Sequence, residues 1–185
     1  MNYGHVLIFG GTGMLAKATG WIAARSERTV VFGRNRHRLE RIAKQYDGYG
    51  LEVKQLDYTD NAALIREIHA AHTQHGPIGM VVAWIHGTAP KALPTIKEQI
   101  SRLQSDPWTL VHIKGSSSRL SDITKPDPDA PENCQVKEVR LGFVYDGTSS
   151  RWLTHEEISD GVIEAIKGNQ PITVVGTLEP WDKRP

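Results

Sequence analysis

The stretch His5-Val6-Leu7-Ile8-Phe9-Gly10-Gly11-Thr12-Gly13-Met14-Leu15-Ala16 decides the fold. Its first half is a short apolar run, mostly branched or aromatic, without polar alternation. Such a run predicts a strand buried on both faces, the kind found in parallel sheets. After the glycines, Leu15, Ala18, Ile22 and Ala23 recur at helical spacing, so the glycine turn joins a strand to a helix. Read as Gly11, Gly13 and Ala16, the turn contains the pattern G-x-G-x-x-A. Glycines let a backbone turn tightly and approach a pyrophosphate, while the helix start offers free N–H groups and a positive dipole end. The small Ala16 permits close packing of helix on strand. A purely structural turn is the plain alternative. The strand before it and the helix after it favour dinucleotide binding through Gly10, Gly11, Thr12, Gly13, Met14 and Leu15.

The same alternation continues along the chain. A second strand, Thr29 to Phe32, ends at Gly33. Asn35 then caps a helix carrying Leu39, Ile42, Ala43 and Tyr46. A third strand spans Leu51 to Leu56, and Thr59 or Asp60 caps a helix with Leu64, Ile65 and Ile68 that stops at Gly76-Pro77. Ile78 to Ile85 is almost continuously apolar, which predicts a central strand. A helix over Thr95 to Gln104 and a fifth strand, Trp108 to Ile113, follow. From Ser116 to Asn133 the chain is polar, with Pro126, Pro128 and Pro131 close together, and reads as a surface loop. Val136 to Val144 reads as a sixth strand. Thr154 and Glu157 form a capping box before Ile158, Val162 and Ile166; Gly168 closes that helix, and Ile172 to Val175 is the last strand. This order predicts an α/β doubly wound, mainly parallel sheet (a Rossmann fold) of about seven strands with helices on both faces. Residues 1–185 form a single NAD(P)-binding domain on this reading.

Composition narrows the function classes. Hydrophobic residues make up 39% and charged residues 23%, as in ordinary globular proteins. With 22 Lys and Arg against 21 Asp and Glu, the net charge is +1, which gives no electrostatic case for nucleic acid or an anionic membrane. No apolar run is long enough to span a bilayer, and the chain enters a strand without a secretory leader. Cys134 is the one cysteine, which excludes an intramolecular disulfide framework. A cytoplasmic location is expected. The expected partner is a small-molecule substrate, with a homo-oligomer left open.

The end of the second strand selects the cofactor. An NAD-preferring fold usually places an acid there for the ribose hydroxyls. Here Gly33-Arg34 stands instead, followed by Arg36, His37 and Arg38. Basic groups at a helix start oppose the macrodipole, and a bound 2′-phosphate would reverse that penalty. A solvated basic face is the alternative. The expected cofactor is NADP (NADPH), with its 2′-phosphate held by Arg34 and either Arg36 or Arg38 assisting; Asn35 and Arg38 are also expected to border the cofactor. After the third strand, Asp57 can accept from an adenine amino group, with Tyr58 beside it, although helix capping is its other role.

With these elements in order, the chain resembles the short-chain dehydrogenase/reductase superfamily from Val6 to Val175, most specifically in its cofactor half. Ala83-Trp84-Ile85-His86-Gly87-Thr88-Ala89 resembles the segment that lines the cofactor ribose. Arg140-Leu141-Gly142-Phe143-Val144 resembles the late strand whose following backbone meets the nicotinamide amide, which implies cofactor contacts at Phe143 and Val144. The departure is in the catalytic engine, a Tyr-x-x-x-Lys. Tyr3, Tyr46, Tyr49, Tyr58 and Tyr145 are followed four residues on by Leu7, Gly50, Val53, Ala62 and Ser149, so none forms it. The resemblance is therefore to an atypical member of the superfamily.

Candidate catalytic groups must then come from the carboxyl ends of the central strands: His86, Lys114, Ser116 and Tyr145. Imidazole is the side chain best suited to general acid chemistry near neutral pH, so His86 is the candidate acid, or it hydrogen-bonds the ribose. Lys114 orients a substrate or is a solvated strand-end lysine. His69, His72 and His75 are spaced by three and span too much helical arc to converge on a metal, so no metal is expected. Two functions are compatible with these residues: an NADPH-dependent reductase transferring hydride to a small C=O or C=N substrate, or a non-catalytic NADP(H)-binding sensor.

Overall fold

A computed structural model describes residues 1–115 and 129–185. Ser116 and most of the proline-rich stretch lie outside the described residues. The main sheet has seven strands: β1 (His5–Phe9), β2 (Arg28–Gly33), β3 (Leu51–Gln55), β4 (Ile78–Trp84), β5 (Trp108–Lys114), β6 (Cys134–Leu141) and β9 (Ile172–Val175). Their order is β3-β2-β1-β4-β5-β6-β9, and every pairing is parallel. The apolar run at β1 is fully buried, as a strand covered on both faces must be.

Two apolar cores lie one on each face. Helices α1 (Ala16–Ala23) and α5 (His155–Lys167) pack together over Val6, Ile8, Val82, Val111 and Val139. Helices α3 (Asn61–His75) and α4 (Ala92–Leu103) cover Leu7, Phe9, Val81, Ala83 and Leu110. Helix α2 (Arg36–Gln45) buries Leu39 and Ile42. The caps are those the sequence indicates. Asn35 accepts from Arg38 N at 3.0 Å, Asp60 accepts from Ala63 N at 3.1 Å, and Thr154 with Glu157 forms a complete capping box. Arg151 and the Thr154 N–H hold the Glu157 carboxyl down to about 2.

Two expectations fail. Helix α4 begins at Ala92 rather than Thr95, because Pro94 falls in the first turn, where no intrahelical N–H is needed. The sixth strand does not run to Val144. It ends at Leu141, and Phe143–Tyr145 forms a separate strand, β7, paired antiparallel with β8 (Ser150–Trp152). The break lies at Gly142, where a Cβ would collide with the backbone of Thr177. Phe143 N donates to Thr177 O at 2.9 Å and Thr177 N returns the bond at 2.8 Å, so the chain beyond β9 takes the backbone groups that a continuing strand would have used. The hairpin turn is tied by Asp146, whose Oδ1 accepts from Thr148 N and Ser149 N.

Candidate functional site

Strand order reverses between β1 and β4, which carry the chain outward in opposite directions across the sheet. Such a reversal leaves a crevice at the carboxyl ends of the strands. A cleft of about 780 Å³ opens there, within the ~300–1,000 Å³ of small-molecule sites. The glycine turn forms one wall, Gly33, Arg34, Asn35 and Arg38 another, and Tyr58, Trp84, His86 and His155 close it.

The three glycines of the turn do different work. Gly10 has a φ of +83°, and a Cβ there would stand 2.6 Å from Trp84 O, so the turn presses against the end of β4. Gly11 faces inward, where a Cβ would meet Ile8 Cγ2 and Thr19 Oγ1 at 2.7 Å each. Gly13 faces the cleft, and its nearest neighbour would be Arg38 Nη1 at 3.9 Å. Gly20, further along α1, lies against the Tyr46 ring, where a Cβ would collide; Ala16 itself is half-buried. Leu15 is buried in the core, so its side chain turns away from the cleft.

At the end of β2 the basic groups separate by role. Arg34 and Arg38 line the cleft, and neither is ion-paired among the described residues. Arg36 instead binds Glu40 at 2.8 Å on the outer side of α2. Helix α2 has no acid in its first turn. Gln55 Nε2 donates to Arg34 O at 3.0 Å and holds that corner. Asp57 is exposed; its Oδ1 accepts from Thr59 N and Oγ1, and these bonds lower its pKa, with a smaller contribution from Arg34. Tyr58 is buried and lines the cleft, where its hydroxyl accepts from His86 N at 3.3 Å.

Of the groups from β4, Trp84 and His86 reach the cleft and meet edge to face at 5.9 Å. Ala83 is fully buried on the α3–α4 side. Phe143 is buried as well, and neither it nor Val144 borders the cleft, because the chain has left the main sheet at Gly142. Tyr145 shares that fate: its hydroxyl donates to Gly147 O at 3.0 Å within the hairpin turn.

A second cleft, of about 460 Å³, shares Trp84 and His86 with the first and also takes in Ile85. Lys114 borders it, and it is not a free strand-end lysine: its Nζ lies 2.5 Å from Glu138 Oε1. Sequence reasoning did not single out His112, Glu138, Arg140 or His155. A signal for two of them was present. A central parallel strand should read as continuous apolar residues, and Lys137-Glu138-Val139-Arg140 does not. The histidines of α3 do not converge: His69 meets Gln99 and His75 meets Glu52.

No protein-family model matches the chain, and no curated protein sequence matches it. Solved structures do. A metagenomic short-chain oxidoreductase in complex with NADP aligns over 95% of this chain and 96% of its own, with a TM-score of 0.72 and 12% identity. A short-chain dehydrogenase/reductase from Serratia marcescens aligns over 93% and 96%, with a TM-score of 0.73 and 14% identity. A β-ketoacyl-[ACP] reductase from Bacteroides thetaiotaomicron aligns over 94% of each chain, with a TM-score of 0.66 and 14% identity.

The fold is the Rossmann fold of the short-chain dehydrogenase/reductases.

Within that fold the first cleft lies at the switch point, where such sheets bind their ligands. Among the described residues no helix is long and apolar enough to cross a membrane.

Proposed function

We propose that the protein is an NADPH-dependent oxidoreductase of atypical short-chain type that reduces a C=O or C=N bond of a small molecule. The observation that carries this reading is the pairing of an open Gly13 with Arg34 and Arg38 around one cleft. A dinucleotide fits the residues present. The space beside Gly13 that a side chain would fill is vacant, helix α1 begins without a side-chain cap, and the guanidinium groups of Arg34 and Arg38 line the cleft without an ion-pair partner among the described residues. The glycine turn and the start of α1 would hold the pyrophosphate. Arg34 and Arg38 would hold a 2′-phosphate by charge-assisted hydrogen bonds. Bound NADPH would supply the hydride.

The chain's own residues would supply position and a proton. Trp84, which lines both clefts, would stand beside the reacting face. Hydride transfer to a carbonyl requires a proton at the oxygen, and His86, common to both clefts, is the best-placed donor. A protonated imine needs no such donor, so holding the reactants together supplies much of the rate.

The second reading, a non-catalytic NADP(H)-binding sensor, is favoured by the absence of a Tyr-x-x-x-Lys. Fluorescence titration with NADPH and NADH tests the part common to both readings, which requires tighter binding of NADPH. Consumption of NADPH with a panel of small carbonyls and imines then separates them. Binding without turnover across the panel would favour the sensor.

A further inference from the structure

The second cleft carries a charge arrangement that hydride transfer does not require. Strands β5 and β6 pair in register, His112 opposite Glu138 and Lys114 opposite Arg140. Because side chains alternate along a strand, all four project from one face of the sheet. Lys114, His112 and Arg140 border the cleft. Lys114 Nζ lies 2.5 Å from Glu138 Oε1, and Arg140 Nη2 lies 3.5 Å from Glu138 Oε2. Both oxygens of the one carboxylate are therefore engaged, and among the described residues Lys114 and Arg140 share this one carboxylate. Arg140 is only 6% exposed, and its Nε has no hydrogen-bond partner among the described residues. A buried guanidinium left under-satisfied is costly unless something else neutralises it.

The geometry points to a carboxylate subsite: the substrate of the proposed reductase is a small carbonyl or imino acid, whose carboxylate is bound by Lys114 with Arg140 behind it. This rests on the reductase reading for the reaction, but not for the binding. Lys114 has the reach for the task. Its side chain is 29% exposed, and an ammonium has three donors, of which Glu138 takes one. Arg140 adds a permanent positive field from a low-dielectric position, where it is poorly screened. A carboxylate held there leaves the far end of a small acid beside Trp84 and His86, the two residues shared with the cofactor cleft. A volume of about 460 Å³ admits a small acid and suits no macromolecular ligand.

Ligand-observed NMR on the cofactor-free protein tests the subsite directly. The probes are pyruvate, 2-oxobutyrate and phenylpyruvate, the methyl ester of each, and inorganic phosphate. At least one acid should bind, more tightly than its ester. Lys114→Gln should weaken that acid about 10- to 100-fold, the loss of one charge-assisted contact, and leave the ester unchanged. Glu138→Gln should tighten the acid, because it removes the competing carboxylate. Opposite effects of these two substitutions would not arise if the triad only held β5 to β6. Equal binding of acid and ester, a change below twofold in Lys114→Gln, binding of phosphate alone, or binding of no probe overturns the proposal. NADPH titration of the same samples reports on the cofactor cleft separately, so failure of one reading is distinguishable from failure of the other.

Discussion

Ser159 Oγ donates to Met14 O at 2.9 Å, joining the middle of α5 to the glycine turn across 145 residues of chain. The same oxygen accepts from Ala18 N at 3.2 Å, one of the N–H groups that the first turn of α1 leaves without an intrahelical partner. A single buried hydroxyl thus secures both the turn and the helix start that would receive a phosphate. Ser159→Ala leaves the buried Ala18 N–H and the half-buried Met14 carbonyl without this partner and should cost about 1–3 kcal/mol. Urea unfolding measures the loss, and NADPH titration should show weaker binding even where the variant remains folded.

The adjacent glycines should answer to substitution in opposite ways. Gly13→Val finds open space and should fold normally, yet lose NADPH and NADH alike. Gly11→Val drives a side chain into Ile8 and Thr19 and should lower stability by about 1–3 kcal/mol or more. Thermal unfolding and cofactor titration on the pair separate the two roles. Normal NADPH binding by Gly13→Val would reduce the turn to a structural one.

Cofactor choice should follow the two guanidinium groups in the cleft. Arg34→Ala should weaken NADPH about 10- to 100-fold and NADH far less, with a similar bias for Arg38→Ala. Arg36→Ala should change neither, because Arg36 is turned away to Glu40. Equal affinity of the unaltered protein for both cofactors would remove the basis of this expectation.

The proton donor should be found by comparing two substitutions at saturating NADPH. Tyr145→Phe should leave turnover within about tenfold, since that hydroxyl already donates to Gly147 O in the hairpin. His86→Gln should lower turnover of a ketone by more than that and leave NADPH affinity unchanged. A loss below about tenfold in both would exclude them as essential acids.

Stability should fall in mild acid through His5. Burial lowers the pKa of this imidazole, and the nearby His75, His72 and Arg28 lower it further, while the bond to Gly76 O opposes them. The unfolded chain then takes up a proton near the ordinary value of 6.5, before the native state does. The contribution is complete above pH ~6.5 and is lost as pH falls below it, toward the lowered native value. Urea midpoints at pH 7.5 and pH 5.5 should differ, and the difference should shrink in His5→Gln.

The main sheet and the first cleft were legible in the sequence because their signals are local. A buried parallel strand must be continuously apolar, a helix start needs a side-chain oxygen, and a backbone turning against a neighbour needs glycine. Those demands mark Val6 to Phe9, Asn35, Asp60, Thr154 and Gly10 wherever the rest of the chain goes. The hairpin was not legible. Three-residue strands carry no period, and the break at Gly142 depends on Thr177, which lies thirty-five residues further on and competes for the same hydrogen bonds. Nor could the sequence choose among the arginines, because which face of α2 meets the cleft is set by how that helix packs on the sheet; the packing turns Arg38 to the cleft and leaves Arg36 to Glu40. Lys114 could not be given its role either. The strand register brings Glu138 and Arg140 to it across twenty-four and twenty-six residues. Local sequence determined which segments are strand, helix and phosphate turn, since backbone chemistry acts over a few residues. Tertiary structure alone decided which charges share the second cleft, since Coulomb energy depends on distance in space and the fold sets that distance.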